Sequence, residues 1–268
     1  MTAAVFAANR AVGRIDLAVK RHAGHTRRAR VFEDGPLRVR LPGPPAREAE
    51  AVIVNTAGGL AGGDRLDLNI AAEAGTALVV TSAAAEKVYR ATGPVTEVSV
   101  RLVIGPGASL AWMPQETILF DRACLKRRID VDLADDASLV MAEAVLFGRA
   151  AMGEAMHDGA FADTWRLRRG GKLVFAENVR LDGDITERLA RPASAKGGIA
   201  LATVLVVAAD ETMLDAVRAL DCAGEAGISA WNGIAVARLV ARDGAGLRRD
   251  LVAILAALGQ SVPRLWHQ

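Results

Sequence analysis

Cysteine is nearly absent from these 268 residues: only Cys124 and Cys222 occur, far apart and outside any C-x-x-C spacing. That excludes a disulfide framework and a zinc knuckle. Histidine is as scarce, four in all and none in a ligand-rich motif, which leaves little for a stable zinc site. Aromatic residues make up 4%, with four Trp and one Tyr, too few to supply stacking platforms for bases or sugars. A net charge of +2 is too small to argue for nucleic acid. The longest apolar stretches, such as 199–209, are too short to span a bilayer. The opening MTAAVFAANR has neither the basic lead nor the apolar stretch of a secretory leader. Together these absences point to a cytoplasmic protein without a membrane or nucleic-acid partner.

What is present is 51% hydrophobic and 24% charged, the balance of a folded protein with one large core. We expect a single domain over 1–268, with a β body at about 13–195 and a C-terminal part at about 196–268. The most unusual stretch is NTAGGLAGGD at 55–64, in which Gly58, Gly59, Gly62 and Gly63 precede Asp64. Gly58 and Gly63 have Walker A spacing, but Asp64 stands where the phosphate-binding lysine belongs. A dinucleotide loop would open a helix. Here Leu66, Leu68 and Ile70 alternate with Asp67 and Asn69, which is strand periodicity. The loop is a strand–loop–strand corner presenting an acid.

Strands are expected at 14–18, 28–33 and 37–41, with the basic stretch at 20–30 as a solvated loop holding His22 and His25. Beyond the glycine loop a rhythm sets in: a period-two strand, a turn, and a return strand. The return strands open alike, as GTAL, GASL, DASL and GKL, about thirty residues apart. Stacked hairpins of this kind make an irregular β-solenoid or sandwich. A parallel α/β fold is excluded because no crossover helices separate the strands. The last seventy or so residues read as strand, helix (211–222, N-cap Asp210), hairpin around Asn232-Gly233, and a second helix ending at Gly259. These two helices should cover one face of a sheet, and the tail PRLWHQ should extend across the surface.

Polar residues in apolar strand context mark three places for chemistry: Asp64; Gln115 and Glu116, after Pro114 in WMPQETILF; and Glu143 through Glu154, with Arg149 and Gly153 between. Each carboxylate has a structural reading as well. Asp64 can cap its own loop, and Glu143 can pair with Arg149. Met152 and Met156 suit core filling better than metal ligation. Ser82, Ser109, Ser138 and Ser194 lack the G-x-S-x-G frame. Two spaced carboxylates could serve a β-sandwich hydrolase, although sugar platforms are missing.

Five segments carry a resemblance: GGLAGGD at 58–64, TSAAAEKVYR at 81–90, WMPQETILF at 112–120, GRAAMGE at 148–154 and FADTWRLRRGG at 161–171. In this order they are similar to the urease accessory proteins called UreD, or UreH. Glu86 stands where that family usually has a small residue, and His25 where arginine is common. The resemblance implies a mainly-β scaffold and metallochaperone without catalytic turnover. It would bind UreF, which recruits the GTPase UreG, contact apo-urease, and admit a homodimer of the accessory complex. No tightly bound cofactor is implied; nickel(II) would be transient cargo. Joined to the residue chemistry, it makes Asp64, Glu116, Glu143 and Glu154 candidates for a loose metal passage, since carboxylates and water hold nickel less tightly than imidazole. The alternative is a docking scaffold through which no metal passes. The C-terminal helices and tail are the candidate UreF-facing surface.

Overall fold

The computed structural model describes residues 10–208 and 210–267. The leader reading, which rests on residues 1–9, falls outside them, as do Ala209 and Gln268. In chain order the strands are β1 (Val12–His22), β2 (His25–Asp34), β3 (Leu37–Arg40), β4 (Glu48–Asn55), β5 (Arg65–Ala72), β6 (Ala77–Ser82), β7 (Glu86–Val88), β8 (Thr96–Ile104) and β9 (Ser109–Trp112). They continue as β10 (Thr117–Leu119), β11 (Cys124–Leu133), β12 (Ser138–Arg149), β13 (Glu154–Ala155), β14 (Ala160–Arg169), β15 (Lys172–Asp182), β16 (Ala200–Val207), β17 (Glu225–Trp231) and β18 (Ile234–Ala241). The described helices are α1 (Ile185–Ala190), α2 (Glu211–Arg218) and α3 (Gly244–Ala257), and Arg264–His267 forms a short 3-10 turn.

The expected mainly-β solenoid is what forms, but not by stacking hairpins. Successive strands of the repeat do not pair with each other. Instead β5, β8, β11 and β14 stack in one seven-stranded sheet, while β4, β6, β9 and β12 stack in a second, and every one of these contacts is parallel. Parallel pairing needs a long crossover. Here the strand on the opposite sheet supplies it, so no helix is required. The similar openings of the return strands are the ladder itself: Ala77, Ser109 and Ser138 lie in register, and Leu78, Leu110 and Leu139 form the buried row beneath. The last opening, at Leu173, leaves this pattern. There β15 returns along β14 as a true antiparallel hairpin and closes one edge of the first sheet, as β2 on β1 closes the other.

Two apolar layers result. The first lies between the sheets, where the inward residues of β5 (Leu66, Leu68, Ile70) meet those of β6 and β9. Full burial of each such side chain contributes about 1.5–3 kcal/mol. The second lies between the far side of the second sheet and α3, through Val140, Ala142, Val204, Leu251 and Ile254. Asp210 and Asp243 cap α2 and α3 by accepting from Met213 N and Gly246 N. The β17–β18 hairpin turns at Asn232-Gly233 with both residues at positive φ, as that dipeptide favours. The tail corrects its expectation: it docks. Trp266 is buried and its Nε1 donates to Met113 O at 3.2 Å.

Candidate functional site

The inward rows of the two sheets are largely apolar, and at one level they gather paired charge. In the first sheet Leu66, Val98, Arg127 and Asp163 stand side by side on β5, β8, β11 and β14. The row therefore turns from hydrocarbon to charge as it crosses the sheet. From the second sheet β12 aims Glu143 at the same level. Arg127, Glu143 and Asp163 are all buried. The Arg127 guanidinium bonds Glu143 through Nη1 and holds Asp163 in a fork, Nε to Oδ1 at 3.0 Å and Nη2 to Oδ2 at 2.6 Å. Two indoles complete the set: Trp112 Nε1 donates to Glu143 at 2.6 Å and Trp165 Nε1 to Asp163 at 3.1 Å.

This arrangement carries two carboxylates on one guanidinium. Burial pushes the Glu143 carboxyl up, against the opposing pull of Arg127. Burial likewise disfavours the Arg127 charge, but Asp163 and Glu143 outweigh it and hold the guanidinium protonated. Beside the cluster lies a cavity of about 90 Å³, walled mostly by hydrocarbon such as Leu68 and Val100 and reached by Ser82, Glu86, Gln115, Thr117, Arg127 and Glu143. It has room for a few water molecules. Glu86 accepts from Asn55 Nδ2 at 3.1 Å on both oxygens. Burial pushes its carboxyl up to about 7, with the Asn55 bond acting the other way.

The four acids singled out from sequence do not converge. Of them, Glu143 alone lines the cavity, and its partner is Arg127, because Arg149 is held elsewhere. Asp64 is buried and saturated by backbone: its oxygens accept from Ala11 N at 2.8 Å and Ala61 N at 2.7 Å. It staples the glycine loop to the start of β1. Glu116 pairs with Arg248 on α3, whose guanidinium also bonds Gln115 Oε1, while Gln115 Nε2 donates to Leu265 O. These two residues clamp the C-terminal helix and tail. Glu154 pairs with Arg149, which lies 4.1 Å over the Phe120 ring. Tyr89 meets Phe120 edge-on and donates to Gly58 O at 2.8 Å, so four of the five sequence segments join at one corner.

The glycines there answer to space as well as to φ. A Cβ on Gly59 (φ +144°) would lie 2.6 Å from the Tyr89 ring, and one on Gly148 (φ +92°) would lie 2.4 Å from Glu154 O. Gly62 lies close under Pro94, Gly63 against Arg10, and Gly153 ends the 3-10 turn at Ala150–Met152. Met156 is buried as expected, whereas Met152 is exposed. His22 and His25 close the exposed end of the β1–β2 hairpin.

Arg127, Asp163 and Glu86 were missed as site residues. For the first two a signal existed: Arg127 shares the phase of Leu125, Ile129 and Val131, and Asp163 that of Phe161 and Trp165. Among the described residues no three His, Cys, Asp or Glu side chains gather as a ligand cluster, and no helix is long and apolar enough to cross a membrane.

The family model described as UreD urease accessory protein matches residues 11–267. The chain is 55% identical over 265 residues to Urease accessory protein UreD of Rhodopseudomonas palustris strain BisA53, covering 98% of this chain and 93% of that protein. It is 54% identical over 268 residues to Urease accessory protein UreD of Bradyrhizobium diazoefficiens, covering 99% and 97%. With nearly every described residue inside the match, the chain belongs to the UreD urease accessory protein family.

Proposed function

We propose that the chain is a non-catalytic urease maturation factor that links apo-urease to UreF and the GTPase UreG and passes nickel(II) through its interior. The observation that carries this reading is the surplus of buried carboxylate: Glu143 and Asp163 share one guanidinium, and Glu86 reaches the same cavity. Buried charge is costly unless compensated, and a passing divalent cation compensates it. Carboxylates and water bind nickel more loosely than imidazole does, and a conduit must release what it admits. Among the described residues no histidine lines the cavity. The chain's own residues orient and desolvate: Trp112 and Arg127 fix the Glu143 carboxylate, and Asn55 fixes Glu86. Energy from GTP hydrolysis belongs to UreG, in keeping with a glycine loop whose acid is bonded to backbone.

The second reading, docking without metal passage, is favoured by the purely structural bonds of Asp64, Glu116 and Glu154. The hydrolase reading loses support, because the paired carboxylates Glu143 and Asp163 are tied to Arg127 inside the protein. Co-expression with urease and its other accessory proteins separates the first two. Under the transit reading Glu86→Gln lowers urease activity while UreF still co-purifies. Unchanged activity favours docking, and loss of UreF assigns Glu86 to assembly.

A further inference from the structure

The chain's positive balance is concentrated in one place. The stretch 17–32 carries Lys20, Arg21, Arg27, Arg28 and Arg30 with two histidines and no acid, whereas the whole sequence has 33 Lys and Arg against 31 Asp and Glu. Without this stretch the protein is net acidic. These residues lie on the β1–β2 hairpin, whose last part forms a finger: β1 pairs with β5 only as far as Val19 opposite Ala72, and beyond that the ladder runs between β1 and β2 alone, tied to the rest of the fold at Thr26 and Arg21.

Arginines elsewhere on the same sheet mostly have a carboxylate, as in Arg14–Asp16, Arg65–Glu97, Arg101–Asp132 and Arg128–Asp130. On the finger, Lys20, Arg27, Arg28 and Arg30 are exposed and pair with no acid among the described residues. Lys20 even stands directly opposite Arg27, a like-charge placement that weakens a sheet. The fold nevertheless holds the finger firmly. Thr26 is buried; its N–H donates to Ala46 O at 2.7 Å, its hydroxyl donates to Arg47 O at 2.8 Å and also accepts from Ala77 N at 3.0 Å, and Arg21 donates to Gly75 O.

β2 is also the edge of its sheet, pairing only with β1 apart from the bridge to Ala46. A groove of about 970 Å³ lies beside it, lined by Val31, Val39 and Leu41 together with Arg28, Glu48 and Glu50 among others. An edge with free backbone groups accepts an added strand, and its charge decides which strand. Arginines along β2 repel a second copy of β2 and attract a carboxylate-bearing one. A nucleic acid fits less well: the hairpin's one aromatic, Phe32, faces the Arg14 guanidinium, and Asp16, Asp67, Asp130 and Asp132 line the sheet beside it.

We propose that the finger and the free edge of β2 dock an acidic, extended segment of a partner protein, whose carboxylates meet Lys20, Arg27 and Arg30. The test uses the full chain and a labelled ten-residue peptide of alternating Glu and Val, read by fluorescence anisotropy at low salt. Arg27→Glu/Arg30→Glu weakens binding about tenfold or more, Arg65→Glu leaves it unchanged, and a Lys–Val peptide binds the reversed variant instead. If thermal melting shows the reversed variant unfolded, Arg27→Gln/Arg30→Gln serves, with a smaller loss expected. The proposal is overturned if the wild-type chain does not bind the acidic peptide, or if binding ignores these substitutions. Duplex DNA or anionic vesicles binding as tightly as the peptide, with the same dependence on Arg27 and Arg30, also overturn it, as does self-association of the chain through this edge.

Discussion

Replacing Glu86 by glutamine isolates the interior carboxyl that, among the described residues, has an amide partner, Asn55, and no paired cation. In the folded chain burial raises this group from the ordinary 4.5 to about 7. Below about pH 4.5 the carboxyl is protonated in both folded and unfolded chains, and it imposes no penalty. As pH rises toward 7 the folded state keeps its proton longer than the unfolded one, so stability falls with pH. Above about pH 7 the full penalty is present. At about 1.4 kcal/mol per pH unit the gap amounts to roughly 3 kcal/mol, and solvent reaching the partly exposed group trims it to about 2. Glutamine keeps an oxygen for Asn55 and carries no charge. Urea unfolding of both proteins from about pH 4.5 to 8 should give curves that meet at the acid end and separate by about 2 kcal/mol at the alkaline end, the variant being the more stable. Curves that stay parallel would refute an enclosed Glu86.

Arg127→Met leaves Glu143 and Asp163 buried without their cation, and should cost about 3–5 kcal/mol in equilibrium unfolding at neutral pH. Asp64→Asn puts an amide N–H against backbone donors in the glycine loop. It should cost about 1–3 kcal/mol by the same measurement, while binding to partner proteins persists. Gly148→Ala forces a Cβ to 2.4 Å from Glu154 O at positive φ; a loss of about 1–3 kcal/mol or more is expected from the backbone strain alone. Trp266→Ala removes the Nε1 bond to Met113 O and the ring beneath the Arg248 guanidinium, and should cost about 3–5 kcal/mol with earlier protease cleavage after α3.

Period-two alternation placed the strands of the body, and cap residues placed the C-terminal helices. Those signals are local. Pairing was harder to see, because a strand followed by a turn and a return strand reads the same whether the two pair or face each other across a core. Here the clue was the likeness between the return strands: residues that repeat at one phase, such as Leu78, Leu110 and Leu139, are what a parallel ladder stacks. The glycine loop was legible as a corner, and Asp64 as its cap. The partner of Glu143 was not, because Arg127 lies on the opposite sheet and meets it only across the core. Sequence proximity favoured Arg149, which instead folds back on Glu154 within its own loop. Helix α1, six residues held by the Asp184 cap, is too short to show helical periodicity.

Transfer of labelled nickel through the reconstituted accessory complex tests the transit account most directly. Val98→Phe, which builds into the cavity of about 90 Å³ beside Glu86 and Glu143, should leave the complex with UreF and apo-urease intact on size exclusion while nickel bound by urease falls at least tenfold. Full nickel loading of urease by the same intact, plugged complex would mean that the metal reaches urease by another route.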